Sequence, residues 1–142
     1  MTNVELLAMP AGRELDRIVA ERVMELPAKS IRLCGTDECV EVWTDNPFYA
    51  DGICNRRDVQ GVCDPPSYST DIAAAWKVVE RMHECGHAIV LERWLDMPSK
   101  NKWSALFIME NGHDTGQRVA ESAPLAICRA ALVAAGMGRR RS

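Results

Sequence analysis

The sequence predicts an α+β fold in which three helices pack on a mainly antiparallel sheet of about four to five short strands. Apolar residues recur at three- and four-residue steps in three separate stretches, which is the pattern of amphipathic helices. Short runs of alternating apolar and polar residues lie between them and are joined by links of turn length. Connections this short favour antiparallel pairing, with the helices packed against the sheet.

The first helix is predicted from about Asn3 to Met24. Its apolar face is formed by residues spaced three or four apart, namely Leu7, Ala11, Leu15, Ile18, Val19 and Val23. Pro10 lies inside this pattern and either kinks the helix or marks a new start, and Pro27 ends the segment.

A β-hairpin is predicted between Ser30 and Trp43, because two alternating segments flank a Gly-Thr-Asp-Glu turn. Residues 44–67 then form a long loop that is rich in proline, glycine and aspartate. Loops of this length in compact domains are usually functional, mobile or held in place by another group. The hairpin and the loop together, about 28–66, carry four of the six cysteines, and we refer to them as the cysteine-containing insert of a single domain that spans 1–138.

The second helix is predicted from about Thr70 to Cys85, and Gly86 is placed to end it. Its apolar stripe, which includes Ile72 and Trp76, is assigned to the core. Three further strands are predicted at 88–94, 102–109 and 117–120. The last helix is predicted from about Ser122 to Gly136, followed by a flexible basic tail at 139–142.

Composition narrows the class of protein. The chain has 142 residues, of which 47% are hydrophobic and 26% charged, as in ordinary globular domains. A formal net charge of −3 argues against a nucleic-acid partner. No apolar run approaches the ~20 residues that a membrane helix needs, and the first residues lack the pattern of a signal peptide. We therefore expect a cytoplasmic protein that does not bind a membrane.

Four cysteines form a candidate metal site. Cys34 and Cys39 flank the hairpin turn, while Cys54 and Cys63 lie in the long loop. Four thiolates can bind zinc tetrahedrally, and a structural zinc could hold a polar loop in place. The spacings depart from those of paired C-x2-C motifs, so unlinked thiols remain an alternative. Disulfides are not favoured in a reducing cell.

The start of the second helix is a candidate ligand site. In one interpretation, Ser69 or Thr70 caps the helix, Asp71 complements the helix dipole and Tyr68 packs on the first turn. In the other, free amides and the hydroxyls of Ser67, Ser69 and Thr70 bind a phosphate, and Tyr68 stacks on a base. A carboxylate at Asp71 would compete with an anion, so the structural interpretation is favoured.

Catalysis and a histidine-based metal site are not favoured. His83 and His87 lie close together in sequence, but Gly86 ends the helix between them, so they need not share a face. The sequence contains no HExxH motif and no Walker or Rossmann loop, and no Ser/His/Asp set is recognisable. No cofactor other than the candidate structural zinc is predicted.

Four blocks of sequence resemble the phage ABA sandwich domain family. In chain order they are AGRELD from Ala11, YSTDIAAAWKVVE from Tyr68, WSA from Trp103 and APLAICRAAL from Ala123. The resemblance implies a layered α/β/α sandwich, a phage or prophage origin, and hence the cytoplasm of the host bacterium. The resemblance implies no catalytic motif in this chain, and it does not extend to the cysteine-containing insert.

Two functions are therefore expected. The first is a non-enzymatic phage accessory protein that binds a host factor or a small ligand, such as a nucleotide signal of bacterial defence. The alternative is a zinc-stabilised structural or interaction module with the cysteine loop as its contact surface. A homo-oligomer is compatible with both.

Overall fold

The structure of the protein is a computed structural model. It describes residues 8–26, 28–32, 39–43, 65–94, 102–112 and 117–139, and only the backbone of 28–32, 39–43 and 137–139. Within these ranges the helices are α1 (Arg13–Arg22), α2 (Ile72–Glu84) and α3 (Ala123–Arg139). The strands are β1 (Ala28–Arg32), β2 (Cys39–Trp43), β3 (His87–Arg93), β4 (Trp103–Met109) and β5 (Arg118–Ala120).

The α+β class is confirmed, and the described strands form two antiparallel sheets. β1 pairs with β2, so the predicted hairpin is confirmed, although it begins at Ala28. The main sheet has the order β3-β4-β5. It is slightly smaller than predicted, because two of the five described strands belong to the hairpin.

Helix α1 begins later than the periodicity predicts. Met9 and Pro10 are not helical, and the helix starts at Arg13 after Gly12, whose φ of +154° favours glycine. Proline lacks an amide hydrogen and clashes with the preceding turn, which accounts for a break at this point. Of the two alternatives for Pro10, a new start is therefore correct, and residues 1–7 lie outside the described part of the chain.

Helix α3 lies at the centre of the domain. It packs on β4 and β5, on α2 and on α1, while α2 also packs on β3. Much of its surface is alanine, and the short side chains allow neighbouring elements to approach closely. The helix continues past Gly136 to Arg139, because each of its two glycines, Gly136 and Gly138, costs a helix only about 1 kcal/mol.

The two faces of the main sheet differ in burial. Phe107 and Ala105 belong to the core, with Ile89 and Leu91 packed beside them, so this face meets the helices. The other face carries four apolar residues that are at least partly exposed, namely Ala88, Val90, Leu106 and Ile108, together with the exposed Glu92 and the buried Ser104. The helices therefore cover one face of the sheet and leave an apolar surface on the other.

Candidate functional site

The start of α2 is capped by a different residue from those predicted. Asp71 is the N-cap, and its Oδ1 accepts a hydrogen bond from the amide of Ala73 at 3.1 Å. The backbone of Asp71 is extended, with φ −115° and ψ 122°, as N-caps require. The prediction that Ser69 or Thr70 caps the helix is therefore wrong by one or two residues.

Ser69 instead ties the segment before α2 to the start of α1. Its Oγ accepts a hydrogen bond from the amide of Gly12 at 2.9 Å and donates to Oδ1 of Asp16 at 2.7 Å. The Ser69 amide donates to the same carboxylate oxygen at 2.7 Å. Ser69 has no exposed surface, and Asp16 is also buried. We call this set the Asp16–Ser69 cluster.

Burial shifts the acid–base properties of this region. Desolvation raises the pKa of Asp16 above its usual value, although the hydrogen bonds from the Ser69 side chain and amide oppose the shift. Desolvation, with Cys128 and Asp16 nearby, raises the pKa of Tyr68 to about 12. Burial likewise raises the pKa of Cys128, so this thiol is an inert core residue.

The four candidate ligand residues at the start of α2 do not face one surface. Tyr68 is 1% exposed and belongs to the core, and Ser69 is bonded within the Asp16–Ser69 cluster, whereas Ser67 and Thr70 are exposed. In this arrangement the Tyr68 ring is not open to a stacking base. A ligand-binding role for these residues stays a prediction.

The candidate zinc site lies outside the described residues. Cys34, Cys54 and Cys63 are not described, and only the backbone of Cys39, the first residue of β2, is described. Within the part of the chain that the structure describes, no cluster of three or more histidine, cysteine or acidic residues could hold a metal ion. Zinc binding by the four cysteines therefore stays a prediction.

A groove between α2 and β3 is a further candidate site in the described part of the chain. It is open to solvent and has a volume of about 510 Å³. Its floor and walls are largely apolar and are formed by Trp76, Val79, Ala88 and Ile89. Four titratable side chains line the remainder, namely Glu80, His83, Glu84 and His87. We call it the α2–β3 groove.

Helical spacing and one tight turn assemble the α2–β3 groove. Five α2 residues line it, Trp76 and the four that lie three, four, seven and eight positions beyond it, so they share one helix face. The turn at Cys85 and Gly86, where Gly86 has φ +89°, brings β3 back alongside α2. His83 and His87 therefore line the same groove, a juxtaposition that the sequence did not predict.

The tryptophan of the groove is exposed. Trp76 is 46% exposed and Ile72 is 50% exposed, so the prediction that both belong to the core is wrong. The core side of α2 is formed by Ala75, Val78, Val79 and Met82. The apolar stripe of α2 is wider than its buried surface, and periodicity alone cannot show which edge of a wide stripe is left open.

The charges around the groove are mainly negative. Glu80 and Glu84 are both exposed. Glu84 lies 3.7 Å from Arg81, which is also 3.1 Å from Glu25, so the arginine is shared between two carboxylates.

Nδ1 of His87 is buried and has no hydrogen-bond partner among the described residues. The His87 ring meets Phe107 edge-on, with the centroids 6.5 Å apart, and this contact holds it against the floor.

Comparisons with known proteins agree with the resemblance in the sequence. The profile of the phage ABA sandwich domain matches residues 17–132. A crystal structure of a phage protein from Bacillus cereus aligns over 89% of this chain and 92% of that chain, with 22% identity and a TM-score of 0.53. At this identity the likeness concerns the fold alone. A search of the curated proteins found no match. Among the described residues, no helix is both long and apolar enough to cross a bilayer.

Proposed function

Because the chain belongs to the phage ABA sandwich domain family, we propose that it is a non-enzymatic phage accessory protein that binds a small ligand in the α2–β3 groove. The exposed indole of Trp76 beside this groove carries the proposal. Large aromatic side chains normally lie in the core, and one that borders a concave surface is suited to recognition. Its site of action would be the cytoplasm of the host bacterium.

The size and lining of the groove fit a small molecule. Ligand pockets commonly enclose ~300–1,000 Å³ and are mostly apolar, with a few polar groups that orient the ligand. The volume of about 510 Å³ lies within this range. Trp76 offers an aromatic face for stacking, while His83 and His87 offer nitrogen atoms that can donate or accept hydrogen bonds.

The charge of the groove restricts the chemistry of the ligand. Glu80 and Glu84 disfavour an anion, and the shared Arg81 offsets only part of their charge. A flat neutral or cationic ligand, such as a nucleobase or nucleoside, therefore fits better than a phosphate-rich nucleotide. A nucleotide signal of bacterial defence would bind through its base, with its phosphates directed to solvent. A host protein would have to present the same chemistry, as an aromatic or cationic side chain.

Calorimetric titration with a panel of matched nucleosides and nucleotides tests the proposal. We expect a nucleoside to bind more tightly than its phosphorylated form. Replacing Trp76→Ala should weaken binding roughly 5- to 150-fold, the range for loss of one stacked base at ~1–3 kcal/mol. Ile72→Ala is the matched control, because Ile72 is an exposed apolar residue of the same helix that does not line the groove.

Two results would contradict this function. One is the failure of every compound in the panel to bind the wild-type protein. The other is equal affinity in the wild-type and Trp76→Ala proteins, which would place the ligand elsewhere. Thermal melts of both variants show whether the fold survives each change. The zinc-stabilised interaction module remains the alternative function, and it concerns cysteines outside the described part of the chain.

A further inference from the structure

We infer that β3 pairs with β3 of a second copy of the chain, in an antiparallel arrangement centred on Val90. β3 pairs with β4 on one side, and no other described strand lies on its second side. It has seven residues, contains no proline, and exposes Ala88 and Val90 on the sheet face that the helices leave open. A strand edge of this kind readily accepts another strand.

Hydrogen-bond alternation shows which backbone groups point outward. The amide of Trp94 donates to the carbonyl of Lys102 at 2.7 Å, continuing the ladder between β3 and β4. Antiparallel ladders alternate with a period of two, so the even-numbered residues of β3 bond to β4. The amides and carbonyls of His87, Ile89, Leu91 and Arg93 therefore point away from β4. No strand in the described part of the chain bonds to these groups, so they are the ones with which a further strand would pair.

The sequence of β3 is complementary to itself in this register. A two-fold axis at Val90 places Ile89 opposite Leu91 of the second copy, and His87 opposite Arg93. The outward backbone groups of these residues then meet in hydrogen-bonded pairs. Val90 faces its own counterpart in the intervening pair, where side chains approach most closely. The two main sheets would join into one sheet of six strands.

Charge complementarity supports a second copy as the occupant. Arg93 lies on the helix-facing side, since it pairs with Trp103 and its guanidinium lies 5.8 Å from the centre of that ring. In the proposed register it approaches His87 of the other copy, where the α2–β3 groove carries Glu80 and Glu84. Arg93 of each copy would thus lie on the same side of the joined sheet as the acidic rim of the other, within reach of a long side chain. The same contact forms twice, as two-fold symmetry requires.

The apolar surface of the sheet adds to this contact. Val90 is 37% exposed, and its cross-strand neighbour Leu106 is partly exposed. Joining two sheets at Val90 brings these surfaces together across the two-fold axis, and part of the exposed apolar area is buried. The inference does not depend on the ligand proposed above, because it rests on the strand edge and on the charges of the groove rim, and it needs no ligand in the groove.

Light scattering with size exclusion tests the assembly. We expect the wild-type protein to have twice the chain mass of 15.8 kDa at a concentration of about 100 μM, where even a weak interface associates. Val90→Lys should reduce the mass to that of one chain, because two ammonium groups would meet at the axis. Ile72→Lys, which replaces a more exposed apolar residue on α2, should leave the dimer intact.

A charge exchange tests the register itself. Arg93→Glu should weaken dimerisation about tenfold or more, because it places a carboxylate against the acidic rim. Adding Glu84→Arg to that variant should recover most of the loss. In hydrogen-exchange measurements, the amides of Ile89 and Leu91 should be protected only at protein concentrations at which the dimer forms. Three results would each overturn the inference. They are a wild-type protein that is monomeric at about 100 μM, a Val90→Lys protein that is still dimeric, and exchange rates of the Ile89 and Leu91 amides that do not change with protein concentration.

Discussion

Replacing Ser69→Ala should strongly destabilise the fold, although Ser69 lies in an irregular segment. The substitution removes the hydroxyl that accepts from the amide of Gly12 and donates to Asp16. The amide of Ser69 still donates to Asp16, so the buried carboxylate keeps one of its two donors. The methyl group of alanine fits the space, and the loss is therefore one of hydrogen bonds and not of packing.

The size of the effect follows from the two lost bonds. A hydrogen bond to a charged group contributes about 1.5–3 kcal/mol and a neutral one about 0.5–1.5 kcal/mol, so the free energy of unfolding should fall by roughly 2–4 kcal/mol. Domains of this kind are stable by only ~5–15 kcal/mol, so the change is large. It should also raise the pKa of Asp16 further, since the Ser69 hydroxyl is the larger of the two contributions that lower it.

Urea denaturation at neutral pH, followed by far-ultraviolet circular dichroism, measures the change. Thr70→Ala is the matched control, because Thr70 is the exposed neighbour of Ser69 and also carries a hydroxyl on a β-carbon. The control should stay within about 0.5 kcal/mol of the wild-type protein, as surface substitutions usually do. If Ser69→Ala lost no more stability than Thr70→Ala, the Asp16–Ser69 cluster would not hold the two segments together.

Two further changes test neighbouring parts of this region. Burial raises the pKa of Asp16 in the folded state above the value of 3.8 that applies in the unfolded state. As the pH falls from the folded-state pKa toward 3.8, Asp16 binds a proton more readily in the folded protein than in the unfolded chain. The free energy of unfolding contributed by this group therefore increases over that range. Asp16→Asn should remove this pH dependence. If urea denaturation gave the same pH dependence of stability for Asp16→Asn and for the wild-type protein over that range, Asp16 would not be its source. Asp71→Ala removes the N-cap of α2 and should cost about 1 kcal/mol by the same assay. Equal stability of Asp71→Ala and wild type would mean that the cap contributes nothing.

Local sequence was sufficient for the elements and for the family. The helices after residue 70 and the hairpin were predicted to within a few residues, because side-chain periodicity and turn residues act over short distances. The family was predicted from four blocks that occur in chain order, and the match over 17–132 confirms it. The start of α1 was left open between a kink and a new start at Pro10, because the apolar period continues through Pro10 and Gly12 and periodicity alone does not locate the break.

The sequence by itself determined the α+β class, the order of the elements and membership of the phage family, because each depends on patterns within short windows. Only the tertiary structure decided that Ser69 bonds to Asp16, 53 residues away in the chain, and that Trp76 borders a groove with His83 and His87. A periodic pattern shows that a helix has an apolar side, but the neighbouring elements decide how much of that side they cover. Contacts between distant segments depend on how all the elements pack together, and no single window of sequence contains that information.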